Sequence, residues 1–188
     1  MNHTTGASPG EVCERQDPLR QRYRVMPEEA WITDRARTVQ TEATEPFHGT
    51  VIAGEEHGVE WRYGHHRAVG GYHDAPNPGE ILSAALACCL DSTTRMIAER
   101  TGVVIEQLDV EIESHIDVRG TLAVDRRVPV GFQQMRSRLR LRAAPGTDPR
   151  AVERLVIAAE RCCVILQTIR NGVDVILEPQ TEIQRGAA

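Results

Sequence analysis

Residues 77–94 read NPGEILSAALACCLDSTT and predict the start of a long helix. Asn77 is a favourable N-cap, Pro78 suits the first helical position, and Glu80 faces the positive end of the helix dipole. Gly102 is a stop signal, so we expect the helix to run from Pro78 to about Arg100. Small and apolar residues recur at helical spacing and define one apolar face, made of Ile81, Leu82, Ala85, Leu86, Cys89, Thr93, Met96 and Ile97.

Two adjacent cysteines lie in the middle of this helix. Cys89 falls on the apolar face, whereas Cys88 lies about 100° around the helix, at the edge of that face. A cysteine on the apolar face of a helix is, by itself, more often a small buried hydrophobe than a nucleophile. The helical pattern alone therefore leaves the role of Cys89 open.

The chain after Gly102 changes to a period of two and predicts two antiparallel strands. Val110, Ile112, Ile116 and Val118 alternate with residues that are mostly acidic, and Met135, Leu139 and Leu141 alternate with Arg136, Arg138, Arg140 and Arg142. Pairing of the two strands through residues 120–131 places an acidic face beside a basic one. We therefore interpret the arginines as a structural ladder rather than a nucleic-acid-binding surface.

The remaining segments complete an α+β pattern, with helices against antiparallel sheet. Three short strands are expected before the long helix, at Trp31 to Val39, Gly49 to Ala53 and Val59 to Tyr63. After the second strand pair we expect a helix pair, at Ala151 to Arg161 and Val164 to Arg170, and then a final strand at Val173 to Leu177. Asp148 and Pro149 precede the first of these helices as N-cap and first helical residue, and Cys163 falls at the junction of the two.

Composition limits the class of protein. The 188 residues are 40% hydrophobic and 26% charged, which is typical of a globular chain, and aromatic residues make up only 4%. We expect a flexible leader at residues 1–25 and one domain at residues 26–188. The leader lacks the apolar stretch of a signal peptide, and we find no apolar run of the roughly 18 residues that a membrane span requires. We therefore expect a cytoplasmic protein without a membrane partner.

Charge and cysteine spacing exclude further chemistries. All 22 basic residues are arginine and the net charge is −5, which excludes lysine-based catalysis and disfavours a nucleic-acid partner. Zinc is the obvious ligand for cysteine pairs, but adjacent cysteines, at 88–89 and at 162–163, point in different directions, unlike the usual C-x₂₋₄-C spacing. His65, His66 and His73 lack a carboxylate or cysteine at a complementary spacing. We expect no metal and no organic cofactor, and we take Cys13 as an incidental thiol.

Two segments resemble the motifs of the OsmC/Ohr family of thiol peroxidases. Residues 77–94 resemble the family's proline-started helix that ends in an Ala-Ala-Cys run, and residues 159–175 (AERCCVILQTIRNGVDV) resemble its second cysteine motif. The resemblance extends in outline from Ala30 to Glu178. It implies an OsmC-like fold, with antiparallel sheets packed on a long cysteine-bearing helix and a second helix pair, in an intertwined homodimer.

The resemblance also implies roles for individual residues. Cys89 matches the reactive cysteine, and Cys163 matches the resolving cysteine, with the adjacent Cys162 as the alternative. In the hydroperoxide-reducing branch, an Arg from an N-terminal strand activates the thiolate and is held by a Glu in the first turn of the cysteine helix. Gly79 stands at that Glu position, so we assign the role to Glu80, whose simpler alternative is a dipole partner at the helix start. The candidates for the Arg are Arg35, Arg37, Arg62 and Arg67, of which we prefer Arg37.

The implied function is that of a cysteine-based peroxidase. It would reduce organic hydroperoxides through the Cys89 thiolate and take electrons from a dithiol such as dihydrolipoamide or a lipoylated protein. A non-catalytic small-ligand or redox-sensing protein on the same fold is the second hypothesis, and a zinc-binding structural module is the third. Thiol titration before and after one equivalent of cumene hydroperoxide, with metal analysis, separates the three.

Overall fold

The computed structural model describes residues 10–39, 44–54 and 56–181, and its longest helix runs over Pro78–Thr101. The side chain of Asn77 accepts hydrogen bonds from the N–H groups of Gly79 and Glu80, while the Glu80 carboxylate accepts one from the N–H of Asn77. This reciprocal capping box satisfies backbone donors that a helix start leaves unpaired. Gly102 ends the helix in the left-handed conformation, at φ 71°. The predicted bounds of the helix are confirmed.

Two antiparallel strands, Ile105–His115 and Gln134–Ala143, pack on one side of the long helix. Asp109 lies opposite Arg140 and Glu111 opposite Arg138 in the pairing register. Arginine nitrogens lie 2.8–3.4 Å from carboxylate oxygens at five contacts, which join Arg138, Arg140 and Arg142 to Glu106, Asp109, Glu111 and Glu113. The predicted ladder is confirmed. The first strand ends at His115 rather than at the predicted Val118, because Asp117 caps a short helix over Val118–Thr121.

A pair of helices covers another side of the long helix, at Pro149–Cys162 and Val164–Asn171. Asp148 caps the first of them by accepting a hydrogen bond from the N–H of Arg150. Cys163 breaks the pair, with extended backbone at φ −72° and ψ 108°. Cys163 is the C-cap of the first helix and the N-cap of the second, as the pattern predicts.

The N-terminal sheet has three antiparallel strands, Ala36–Val39, Gly49–Ala53 and Val59–Tyr63, in sequential order. The prediction that the first strand begins at Trp31 is wrong. Ala36 pairs with Ala53, the last residue of the middle strand, so the residues before Ala36 have no residue of that strand opposite them. Trp31 accordingly remains 86% exposed.

The sequence predicts a flexible leader at residues 1–25, but Glu11–Val25 forms a helix. The carboxylate of Glu99, near the end of the long helix, accepts hydrogen bonds from the N–H groups of Gly10 and Val12, and Arg100 binds Asp17 at 2.7 Å. The helix has no buried residue, so it lacks the apolar periodicity by which a helix is recognised. Residues 1–9 lie outside the described residues, and the domain boundary at residue 26 stays a prediction.

The predicted final strand at 173–177 is also absent, because these residues have no regular secondary structure. Within the described ranges they pair with no other strand. Four apolar side chains are consequently 68–87% exposed, those of Val173, Val175, Ile176 and Leu177.

We number these elements in chain order as α1 (Glu11–Val25), β1 (Ala36–Val39), β2 (Gly49–Ala53), β3 (Val59–Tyr63), α2 (Pro78–Thr101), β4 (Ile105–His115), α3 (Val118–Thr121), β5 (Gln134–Ala143), α4 (Pro149–Cys162) and α5 (Val164–Asn171). Short 3₁₀ turns lie at Pro27–Ala30 and Arg67–Val69.

The core lies where α2 meets the β4–β5 sheet and the α4–α5 pair. Its buried members include Leu86, Leu90 and Thr94 from α2 and Leu155 and Ala159 from α4. The described residues include one helix, α2, that is long and apolar enough by composition to cross a membrane. We interpret α2 as a core helix, because its buried face packs against the protein.

A histidine cluster ties the N-terminal sheet to the loop that leads into α2. The His48 ring binds the carboxylates of Glu45 and Asp74 and stacks on Tyr72 with an interplanar angle of 3°. Asp74 also contacts Arg62 of β3 at 3.3 Å. Hydrogen bonds to Glu45 and Asp74 raise the pKa of His48.

We predict that replacing His48 removes a pH-dependent part of the stability. Because its pKa is raised on folding, protonated His48 stabilises the fold below its ordinary pKa of about 6.5, and this contribution is lost as the pH rises through the raised value. His48→Gln should therefore lower the thermal unfolding midpoint more at pH 6 than at pH 9. His57→Gln, in the exposed turn between β2 and β3, is the control. An equal loss at both pH values contradicts the prediction.

Candidate functional site

The Cys89 side chain lies at midspan of α2 and contacts the break between α4 and α5. It packs against the cluster of Leu86, Leu90, Ala159, Cys163 and Leu166. Cys163 is fully buried in this cluster, and the thiols of Cys89 and Cys163 each shift the pKa of the other. The two cysteines that the motifs single out are thus in contact, although 74 positions separate them along the chain (163 − 89).

The neighbouring cysteines are placed differently. Cys88 and Cys162 are both exposed, whereas Cys89 is half-buried and Cys163 buried. The extended backbone at Cys163 turns its side chain inward towards α2. The structure therefore brings Cys163, and not Cys162, into the cluster around Cys89.

The start of α5 surrounds the Cys89 sulfur with hydrogen-bond donors. Burial raises the pKa of Cys89, but hydrogen bonds from the N–H of Ile165, the Cys163 thiol, the Thr93 hydroxyl and the N–H of Val164 outweigh it and lower the pKa below its ordinary value. Val164 and Ile165 are the first two residues of α5, whose N–H groups have no partner within the helix. A helix N-terminus of this kind stabilises a thiolate.

The second cysteine has the opposite tendency. Burial raises the pKa of Cys163, and although the N–H groups of Leu166 and Ile165 oppose this, the contact with Cys89 raises it further. One proton shared between two sulfurs explains the difference, because a thiolate at Cys89 is stabilised by the proton retained on Cys163. The pair therefore has one sulfur, that of Cys89, which ionises more readily than an ordinary thiol, and one, that of Cys163, which keeps its proton more strongly.

Glu80 and Arg37 do not reach this pair within one chain. Glu80 closes the capping box at the start of α2, nine residues before Cys89 and thus about 13 Å away along the helix axis. Its other carboxylate oxygen lies 3.8 Å from the His73 ring. Arg37 is exposed in β1, opposite Ile52. Among the described residues, the groups that shift the pKa of Cys89 include neither of these side chains.

Gly79 shows why a Glu is missing at the family's position. A Cβ added there would lie 2.7 Å from the Phe132 ring, closer than side-chain carbons approach. A side chain at residue 79 therefore requires Phe132 to move. In this chain the carboxylate stands one residue later, at Glu80, and the Phe132 ring lies close to Gly79.

The three histidines before α2 serve local structure. His65 Nδ1 donates to the carbonyl of Phe47 at 3.0 Å, and His66 Nδ1 accepts from the N–H of Ala68 at 3.0 Å. The rings of His66 and His73 meet edge to face, with their centroids 4.4 Å apart. In the part of the chain that the structure describes, no group of three or more His, Cys, Asp or Glu side chains is arranged to hold a metal ion.

A cleft with a mixed apolar and polar lining lies beside the cluster that holds the cysteine pair. Its volume is about 620 Å³, and its lining includes Leu86, Leu90 and Leu166, which also pack in the cluster around the cysteines. Arg170 and Glu160 line the same cleft and form an ion pair at 2.7 Å. Sequence patterns did not indicate this cleft, because its lining comes from α2, β5, α4 and α5.

Comparison with known proteins establishes the family. The model of the OsmC-like protein family matches residues 71–178, more than half of the chain and both cysteine motifs. The chain belongs to the OsmC-like family. No curated protein matches it in sequence.

Solved structures of OsmC-like proteins share the fold at low sequence identity. The OsmC-like protein of Mycoplasma pneumoniae aligns with a TM-score of 0.58 and 12% identity over 75% of this chain and 89% of that one. An OsmC-like protein of unknown function from Vibrio cholerae gives 0.60 and 13%, over 73% and 94%. An organic hydroperoxide resistance protein from Legionella pneumophila gives 0.54 and 21%, over 76% and 93%. The predicted OsmC-like α+β fold is thus confirmed.

We predict that Cys89 is alkylated well before Cys163 in the reduced protein. Its lowered pKa provides thiolate at a lower pH, whereas Cys163 is buried and has a raised pKa. Iodoacetamide labelling at pH 7, followed by mass spectrometry, measures both rates. The Cys88→Ala/Cys162→Ala background removes the two exposed thiols and leaves one cysteine in each segment. Equal rates, or faster labelling of Cys163, would contradict the assignment.

Proposed function

We propose that this protein is a thiol-dependent peroxidase that reduces organic hydroperoxides, with Cys89 as the reactive and Cys163 as the resolving cysteine. The observation that carries the proposal is the contact between their side chains, in which the pKa of Cys89 is lowered and that of Cys163 is raised. A peroxidatic cysteine must be ionised near neutral pH. A resolving cysteine must lie close by and still hold its proton.

The reaction balances with two thiols and no cofactor. The Cys89 thiolate attacks the terminal oxygen of the hydroperoxide, an S–O bond forms, the O–O bond breaks, and the alkoxide leaves and takes a proton to become the alcohol. The Cys163 sulfur then attacks the resulting sulfenic acid, so a disulfide forms and water leaves. A dithiol returns the disulfide to two thiols and is itself oxidised to a disulfide.

The leucine side chains of the cleft support an organic substrate. Leucine side chains beside the cysteine pair favour an alkyl or aryl group, which hydrogen peroxide lacks. The Legionella pneumophila relative in fold is an organic hydroperoxide resistance protein, which also favours this substrate class. The requirement for reduced thiols favours the cytoplasm as the location.

A second candidate is a redox-sensing or ligand-binding protein without turnover. The contact between Gly79 and Phe132 favours it, because the Glu of the hydroperoxide-reducing branch would fit at residue 79 only if the Phe132 ring moved. Repeated turnover separates the candidates: a sensor is oxidised once by hydroperoxide, whereas an enzyme consumes many equivalents when dihydrolipoamide or a lipoylated protein is supplied.

We predict that cumene hydroperoxide joins Cys89 to Cys163 in one chain, as detected by peptide mass mapping. Cys89→Ser should reduce hydroperoxide consumption to the uncatalysed rate, because no other thiol in the cluster is activated. Cys163→Ser should stop after one turnover with one sulfenic acid per chain.

The control is Cys88→Ala, which removes an exposed thiol beside the reactive one and should retain most activity. Equal losses in Cys88→Ala and Cys89→Ser would refute the assignment of Cys89. A disulfide to Cys162, with Cys163 free, would refute the assignment of Cys163.

We further propose that the protein acts as a homodimer. The large apolar residues Val173, Val175, Ile176 and Leu177, together with Trp31 and Ile32, are 68–87% exposed, which favours cover by a second chain. Small residues of α2, Ala84, Ala85 and Cys88, are also exposed and allow another backbone to approach closely. In an intertwined dimer, Arg37 of the partner subunit would reach Cys89 and add a positive charge beside the thiolate.

We predict that sedimentation at micromolar concentration gives twice the chain mass, as for the commonest closed symmetry. Ala85→Arg, on the exposed face of α2, should weaken dimerisation and activity together. Glu153→Arg, at an exposed position on α4, is the control and should change neither. A fully active monomer would refute a pocket shared between subunits.

A further inference from the structure

A second pocket lies beside the first two turns of α2 and has a volume of about 810 Å³. Phe132 lines both this pocket and the cleft beside the cysteine cluster, so its side chain lies between the two. The described lining of the second pocket includes neither Cys89 nor Cys163. Its volume falls within the range of about 300–1,000 Å³ that small-molecule sites occupy in proteins. The proposed peroxide chemistry gives this pocket no role.

Much of the wall of the second pocket is apolar. The apolar side chains come from β4, α3, the residue before β5 and the turn before α2, and include Ile112, Ile116, Val118, Phe132 and Val69. Ile116 is 43% exposed, so the protein itself leaves part of this wall uncovered. Contact with the hydrocarbon of a ligand would remove that surface from water, which is favourable.

A pair of hydroxyl groups supplies a hydrogen-bond acceptor in the same pocket. Ser83 of α2 gives its one hydroxyl proton to the carbonyl of Gly79, at 2.9 Å. In the 2.8 Å contact between Ser83 and Ser114 of β4, the donor must therefore be Ser114. Both serines line the pocket. The oxygen of Ser114 keeps its lone pairs available for a ligand that donates.

Two histidines of the lining add one acceptor and one donor. His65 Nδ1 donates to the carbonyl of Phe47, so Nε2 of the neutral ring is an acceptor. His66 Nδ1 accepts from the N–H of Ala68, so its proton is on Nε2, which is a donor. The Nδ1 atoms thus serve the local structure, and the Nε2 atoms are left for a ligand.

The loop that carries these histidines also shows strain of the kind found at functional sites. His73 has a left-handed backbone, at φ 56°, which is uncommon for a residue other than glycine. Its Nδ1 is buried and has no hydrogen-bond partner among the described residues, and its ring packs edge to face on that of His66. Strained backbone and unsatisfied polar atoms concentrate at active sites and ligand sites. This observation is independent of the volume of the pocket.

The charges of the lining limit the kind of ligand. No arginine is present in the described lining, and Glu80 is its one carboxylate. The Glu80 side chain is 51% exposed and accepts a hydrogen bond from the N–H of Asn77. A ligand with a carboxylate or phosphate would lose its water without gaining a cation. A hydroxyl group, which both donates and accepts, matches the acceptors and the donor that the serine pair and the histidines present.

We propose that the second pocket is a binding site for an uncharged alcohol or phenol with an aromatic or branched hydrocarbon body. The hydrocarbon lies against the apolar wall, and the hydroxyl group donates to Ser114 or His65 and accepts from His66. Binding requires no reactive thiol, so this site is independent of the proposed peroxidase activity.

The test is a titration of the reduced full-length chain with benzyl alcohol, followed by the methyl NMR signals of isoleucine, valine and leucine. The signals of Ile112, Ile116 and Val118 should shift and saturate. Benzoate has the same ring with a carboxylate in place of the alcohol, and it should bind about tenfold more weakly or worse, because its charge finds no cation there. Absence of binding, equal affinity for benzoate, or shifts confined to Leu86 and Leu90 in the other cleft would overturn the proposal.

Substitutions locate the site. Ser114→Ala removes an acceptor and should weaken the binding of benzyl alcohol about three- to tenfold, as expected for one hydrogen bond. Ser137→Ala is the matched control, because Ser137 lies opposite Ile112 on β5 and lines the other cleft, and it should leave the affinity unchanged. Ile116→Trp should fill the pocket and abolish binding.

The same change at an exposed position of α4, Ile157→Trp, is the control for Ile116→Trp and should have no effect. Circular dichroism verifies that each variant is folded, and Ser114→Ala decides alone if Ile116→Trp does not fold. Unchanged affinity in the folded pocket variants contradicts the proposal, as does an equal loss in a pocket variant and its control.

Discussion

The contact between the middle of α2 and the first turn of α5 brings the sulfur of Cys89 to backbone N–H groups that have no other partner. It exists because α4 ends at Cys162 and α5 begins at Val164, so the N-terminus of α5 lies beside α2. A continuous helix would have used those N–H groups in its own hydrogen bonds. The break at Cys163 therefore leaves N–H groups free to stabilise a thiolate at Cys89, which a nucleophilic role requires.

The rest of the domain holds these two helices in place. The β4–β5 sheet packs Val110, Ile112, Met135 and Leu139 against the same cluster, and its arginine ladder lies on its other face. Exposed ion pairs contribute little individually, but opposite charges across neighbouring strands favour one register over its alternatives. The capping box of Asn77 and Glu80 defines the start of α2, and hence the position of Cys89 along it.

Local signals in the sequence were sufficient for the features that depend on neighbouring residues. Asn77, Pro78 and Gly102 define the ends of α2, and Cys163 was placed at the helix junction by the change of pattern around it. The features that failed depend on distant residues. The helix α1 is capped by Glu99, and β1 begins where β2 ends, neither of which a local pattern shows. The donors around Cys89 were also missed: Thr93 has the spacing of a core residue, and backbone N–H groups leave no trace in a sequence.

The complete burial of Cys163 limits how an oxidised protein can be returned to its resting state. An external thiol has no access to that sulfur, so in the proposed cycle it must attack the disulfide at Cys89 and displace Cys163 as the leaving group. A thiol with a raised pKa leaves slowly. The displaced Cys163 stays beside the mixed disulfide between reductant and Cys89, and it can reverse the step by attacking that disulfide. In the proposed cycle, a second thiol on the same reductant competes with this reversal, so burial of one sulfur favours electron donors that carry two thiols.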